Sequence, residues 1–203
     1  MSYIVATYFD KDAWKSYGLN WVRHAKSESL TGYIIGIDLP QEAIDKINEL
    51  GFVHLPLISK YQIRGDAFFT LLQKLEKNQR CLWTNPHVLP RAGIESKVDL
   101  LCGISNSSVE NLTVGVVNLY DRAAMIQSLN ESIFKKHGAF LASDYILGTY
   151  DFWNGYVGCR NYLHEKQYLE SFSVSDDLVL NFFMAFANSF SCEIQSYPLK
   201  EAA

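Results

Sequence analysis

The feature that most constrains this chain is an alternation that runs through its first 88 residues. Short β-branched and aromatic runs are separated by stretches whose apolar residues recur at helical spacing. Tyr3 to Phe9 reads YIVATYF, a buried strand closed by Asp10. Leu19, Val22 and Ala25 then recur at helical spacing within Tyr17 to Ala25, with Trp21 alongside, and Gly32 precedes a second apolar run, Tyr33 to Asp38. Pro40 stands where a first helical turn tolerates proline, and Ala43, Ile44, Ile47 and Leu50 share one face until Gly51 stops the helix. Phe52 to Ile58 reads as a third strand. Asp66 is placed to cap a helix from Ala67 to Lys77, and Cys81 to Thr84 is a fourth strand that breaks at Asn85-Pro86-His87. Parallel strands need crossovers, and the crossovers here are helical. The expectation is an α/β fold with a mostly parallel central sheet flanked by helices. Ligands in such sheets bind past the carboxyl ends of the strands, so Asp10, Asp38 and the Asn85 to His87 corner should converge on one crevice.

The second half changes character. Val98 to Gly103 and Leu112 to Val117 read as strands, and Asp121 to Lys136 as an amphipathic helix capped by Asp121 and stopped by Gly138. Tyr145 to Tyr162 is dense in glycine and aromatic residues and reads as irregular structure or short strands around a site. Ser173 and Asp176 resemble a capping pair ahead of the apolar helix Leu178 to Met184, and Cys192 to Tyr197 reads as the last strand. With no internal repeat or linker, residues 1–203 read as a single domain.

Composition narrows the function classes. A hydrophobic share of 48% with 20% charged residues is that of a folding globular chain, and a formal charge of −4 without a basic run argues against nucleic acid as the main partner. A nucleotide-sized ligand remains open. Cys81, Cys102, Cys159 and Cys192 lie far apart, without zinc spacing, and read as free thiols of a reducing compartment. The first residues lack a basic n-region and no apolar stretch approaches membrane-spanning length, so the expected location is cytoplasmic with no transmembrane segment. The chain carries no G-x-S-x-G elbow, no G-x-x-x-x-G-K-[ST] loop and no G-x-G-x-x-G after its first strand.

Arg64-Gly65-Asp66, the helix that follows, and Cys81-Leu82-Trp83-Thr84-Asn85-Pro86-His87 resemble the GT-A glycosyltransferases, enzymes that use nucleoside-diphosphate sugars. In that family a basic residue, a helix and an apolar strand lead into an Asp-x-Asp corner. Residues 1–88 then correspond to the nucleotide-binding half and 98–203 to the acceptor-side half. The resemblance implies a donor nucleoside, uridine-based, contacted by Thr7, Tyr8, Asp10 and Arg64, and an acceptor of unknown identity. It implies a divalent cation, manganese or magnesium, at the corner. The acids are replaced there by Asn85 and His87, neutral groups that would hold magnesium poorly. Arg64, Arg91 or a softer metal held by His87 could stabilise the diphosphate instead. Asp176 and Asp177 match the late acidic segment that supplies a general base, and Trp153-Asn154 fits a sugar platform.

The same residues have plainer readings. Asp10, Asp176 and Asp177 can be helix caps, Asn85-Pro86 a simple turn and Trp153 a core aromatic. If the corner has lost its chemistry, the alternative to an enzyme is a non-catalytic nucleotide-sugar-fold module.

Overall fold

The structure is a computed structural model that describes residues 3–57, 64–114, 116, 119–165, 175–187 and 189–195. Among these, seven strands form one sheet: β1 (Ile4–Phe9), β2 (Gly32–Gly36), β3 (Val53–Pro56), β4 (Arg80–Thr84), β5 (Leu100–Ser105), β6 (Phe140–Thr149) and β7 (Cys192–Ile194). Their order is β3-β2-β1-β4-β6-β5-β7. The pairs β1·β2, β2·β3, β1·β4 and β5·β7 are parallel, whereas β6 runs antiparallel to β4 and β5. The carboxyl ends of β1, β2, β4 and β5 therefore share one edge with the amino end of β6.

Period-two alternation sends the side chains of each strand to two cores. Val5, Phe9, Ile34 and Leu82 face a layer built by Trp21, Val22, Ala25 and Ile47, from the helical residues 11–27 and the helix Gln41–Glu49. Ala6, Cys81, Trp83 and Ile146 face the other layer, where Phe68, Leu129, Phe152, Tyr156, Leu180 and Phe183 pack from helices on the opposite side. Helices cover both faces, as the alternation of elements requires.

Several boundaries differ from expectation. The first helix begins at Lys11, immediately after its Asp10 cap, and carries a π turn over Trp14–Gly18 before continuing as Leu19–Ser27. The fourth-strand helix is Arg64–Leu72, so Asp66 lies inside it. The strand expected over Leu112 to Val117 is not formed among the described residues: Leu112 closes a short helix, Val109–Leu112, capped by Ser108, and Thr113 and Val114 lie in a turn. Ser175 caps the Asp176–Phe186 helix, while Ser173 lies outside the described residues.

The largest difference is at 140–165. Instead of irregular structure there is the ten-residue strand β6 followed by the helix Tyr150–Glu165. Two of its glycines serve close packing: a Cβ on Gly148 would lie 2.4 Å from the Phe152 ring, and one on Gly155 2.8 Å from Phe183. Burial of Phe152, Trp153 and Tyr156 outweighs the poor helix propensity of this segment.

Candidate active site

At the shared edge, β4 leaves the sheet at Asn85. The Asn85 backbone N–H donates to the Asp144 carbonyl at 2.9 Å, and its side-chain Nδ2 donates to the Asp144 carboxylate. Asn85 is 6% exposed and its Oδ1 is buried without a hydrogen-bond partner. Beside this pair opens a cleft of about 490 Å³, lined by Gly103 to Ser107, Asp144, Tyr145, Asp177 and Gln195. Its wall is formed where β5 and β6 shift register between Cys102 and Gly103. Such irregularities re-aim the side chains that follow.

Asp177 is a firmly anchored carboxylate of the cleft. It accepts from the Ser105 hydroxyl at 2.8 Å, from the Ser143 N–H at 2.7 Å and from the Ser143 hydroxyl at 2.6 Å. Three donors from two strands fix its position and leave about one of a carboxylate's four acceptor positions for a ligand. Its helix is tied to β6 by Asn181, which accepts from the Leu141 N–H at 2.9 Å and donates to the Leu141 carbonyl at 2.8 Å.

Its neighbour Asp176 points the other way. It is 6% exposed and forms a buried ion pair with Arg160, whose pKa burial alone would lower but which Asp176 and Tyr156 hold above its ordinary value. Neither the catalytic nor the capping reading fits this residue: Ser175 is the cap, and a carboxylate turned into the core and paired with a guanidinium cannot reach a ligand in the cleft. Trp153 is likewise 1% exposed, stacked on Phe68 with its indole N–H directed at the Cys81 carbonyl, so neither ring face is open to a sugar. Asn154 is exposed on the same helix, and neither residue lines the cleft.

Asp10 is exposed at the end of β1, where it accepts from the Ala13 N–H at 2.7 Å as a helix cap. Tyr8 is half-buried and stacks on Trp83, rings 6.0 Å apart and 9° from parallel. Thr7 is fully enclosed on the opposite face, with no partner for its hydroxyl. Arg64 opens its helix, and its side chain lies outside the described residues. His87 is half-buried, edge-on to Tyr17 at 6.4 Å. Arg91 is half-buried, and its carbonyl accepts from the Tyr3 hydroxyl.

The donor set at the corner does not fit a hard divalent cation. Asn85 turns its amide nitrogen, not its oxygen, to the Asp144 carboxylate, and His87 offers an imidazole set edge-on to an aromatic ring. Among the described residues no group of three His, Cys, Asp or Glu side chains is gathered as a metal site. Asp144 is the residue that sequence reasoning missed. Only the antiparallel pairing of β6 with β4 brings it to the corner, and no local motif marks it.

Solved structures share this architecture. GlyE, a glycosyltransferase of Streptococcus pneumoniae TIGR4, superposes with a TM-score of 0.56 at 12% identity, over 96% of this chain and 46% of that one. The fold is that of glycosyltransferases. The galactosyltransferase LgtC, solved with donor and acceptor sugar analogues, gives 0.53 at 9% identity over 88% of this chain and 70% of its own. A nucleoside-diphosphate-sugar pyrophosphorylase of Vibrio cholerae RC9 gives 0.55 at 9% identity over 96% and 91%. The chain thus spans less than half the length of GlyE. No family model matches the sequence, and no curated protein sequence matches it.

Proposed function

We propose that this domain is a glycosyltransferase that binds a nucleoside-diphosphate sugar, uridine-linked, and passes the sugar to an acceptor seated in the β5–β6 cleft. The observation that carries this reading is the position of Asp177: a carboxylate fixed by three donors, facing a cleft at the carboxyl edge of a glycosyltransferase-type sheet. The exposed Asp10 and the half-buried Tyr8 sit at the end of β1, where an aromatic ring and a carboxylate suit a base and a ribose or imide donor. Arg64 at the start of its helix is the cation assigned to the diphosphate. Asp177 takes the proton from the acceptor hydroxyl as that oxygen attacks the anomeric carbon and the diphosphate leaves. No step is assigned to a metal, given the donor set at Asn85 and His87.

One observation favours a second reading, a non-catalytic nucleotide-sugar-fold module. The corner offers an amide and an imidazole in place of acids, and the amide is already held by Asp144. Calorimetric titration with uridine, guanosine and thymidine diphosphates, each with and without manganese, tests the donor assignment. Uridine diphosphate should bind without requiring manganese, and the absence of heat with all three nucleotides would refute it. The expected location stays cytoplasmic; among the described residues no helix is long and apolar enough to cross a membrane.

A further inference from the structure

Ser105 ties the wall of the cleft to its carboxylate. It is the last residue of β5, half-buried, and lines the cleft together with Asp177. Leu101 of the same strand packs in the Trp21 layer, and strict alternation would send Ser105 to that side as well. The register shift between Cys102 and Gly103 turns it instead to Asp177, whose helix packs in the opposite layer through Leu178 and Leu180.

The hydrogen bonds fix where the Ser105 proton points. An ionised carboxylate only accepts, so the 2.8 Å contact from Ser105 Oγ to Asp177 Oδ2 carries the hydroxyl proton. The Ser107 N–H donates to Ser105 Oγ at 3.3 Å and occupies one of its lone pairs. The hydroxyl keeps a second lone pair, and among the described residues no other group donates to it. Asp177 Oδ1 is held separately, by the N–H and the hydroxyl of Ser143. A hydroxyl bound in the cleft that donates to Ser105 therefore completes the chain O–H···Oγ–H···Oδ2.

We propose that Ser105 is a catalytic residue that relays the proton of the attacking hydroxyl to Asp177. The proposal rests on the reading of Asp177 as general base and adds the route by which the proton reaches it. As the acceptor oxygen bonds to the anomeric carbon, its proton passes to Ser105 Oγ, and the Ser105 proton passes to Asp177 Oδ2. The bond between the sugar and the diphosphate breaks in the same step, and its electron pair leaves on the diphosphate. Ser105 ends as a hydroxyl again, and Asp177 ends protonated until water takes the proton away.

The test is single-turnover release of uridine diphosphate from uridine-diphosphate glucose and galactose, with methyl β-glucoside or water alone as acceptor. Rates are taken in mixtures of ordinary and heavy water for the full wild-type chain, Ser105→Ala and Ser105→Thr. Two protons in flight should bow the wild-type plot of rate against deuterium fraction, whereas Ser105→Ala should give a straight line. Ser105→Ala should slow release at least about ten-fold with nucleotide affinity unchanged, part of what acid–base catalysis supplies, and Ser105→Thr, which keeps the hydroxyl, should restore it. Ser143 still holds Asp177 in Ser105→Ala, so a serine that only steadied the carboxylate would leave the plot as it is in the wild type. A straight wild-type plot, which needs no variant to fold, or a bowed plot that persists in Ser105→Ala would overturn the relay. If Asp177→Asn then still loses release, the general-base reading stands without it. No release by the wild type, or equal release by Asp177→Asn, would overturn both.

Discussion

Replacing Asp176 by Asn should cost the fold far more than replacing an ordinary surface carboxylate. The side chains of Arg160 and Asp176 are 7% and 4% exposed, so neither charge has water to fall back on. Asp176→Asn keeps the shape but leaves the Arg160 guanidinium buried without its counter-charge, a change worth about 3–5 kcal/mol. For a chain of this size each kcal/mol shifts Tm by roughly 2–4 °C, so the loss should be about 6–20 °C. Circular dichroism melts and urea titrations of wild type, Asp176→Asn, Arg160→Met and the double variant Arg160→Met with Asp176→Asn give the full cycle. Each single change should be strongly destabilising and the double change much less so, because it leaves no unpaired charge. A Tm within about 2 °C of wild type for Asp176→Asn would refute the argument. It would show that Asp176 is free to serve the cleft, as the sequence pattern alone allowed.

Three further outcomes follow from the site and the sheet. Asp10→Ala should lower stability by about 1 kcal/mol through the lost cap at Ala13 and weaken uridine diphosphate binding by about 1–3 kcal/mol, read by melting and calorimetry respectively. Asn85→Asp with His87→Asp should destabilise the metal-free protein, since a carboxylate at 85 would face that of Asp144, and manganese should then raise Tm and tighten nucleotide binding; no manganese effect in a folded variant would mean that the segment is only a turn. Burial lowers the pKa of His54, whose Nε2 lies against Gly36 without a hydrogen-bond partner, and also that of His137. The unfolded chain therefore binds protons first. Stability should be full above about pH 6.5 and fall as pH drops toward the lowered folded values, and His54→Gln should flatten that fall in melts taken from pH 7.5 to 5.5.

The first half of the fold was legible because its strands are short apolar runs and its crossover helices are strongly periodic, two signals that survive any tertiary context. Strand β6 and the helix after it were not. Gly148 and Gly155 mark ring contacts at Phe152 and Phe183 rather than turns, and Phe152, Trp153 and Tyr156 form a helix only because burial against Phe68 and Phe183 rewards it. The same gap hid Asp144, whose meeting with Asn85 depends on the register Thr84 to Tyr145 across β4 and β6. In the late acidic segment the residue types were readable but their directions were not. Adjacent helical positions point about 100° apart. Asp177 therefore turns to Ser105 and Ser143 while Asp176 turns to Arg160, and only the packing partners decide which of them meets the cleft.

The central claim, that this chain uses a nucleoside-diphosphate sugar through Asp177, is tested most directly by measuring uridine diphosphate released from uridine-diphosphate sugars. The wild-type protein should be assayed beside Asp177→Asn, with sugar acceptors supplied and nucleotide binding checked in both. The account predicts release by the wild type and at least a hundred-fold less by Asp177→Asn, roughly the size of a lost general base, with nucleotide affinity unchanged. Equal release by both proteins, or no release by a wild type that binds the nucleotide tightly, would contradict it.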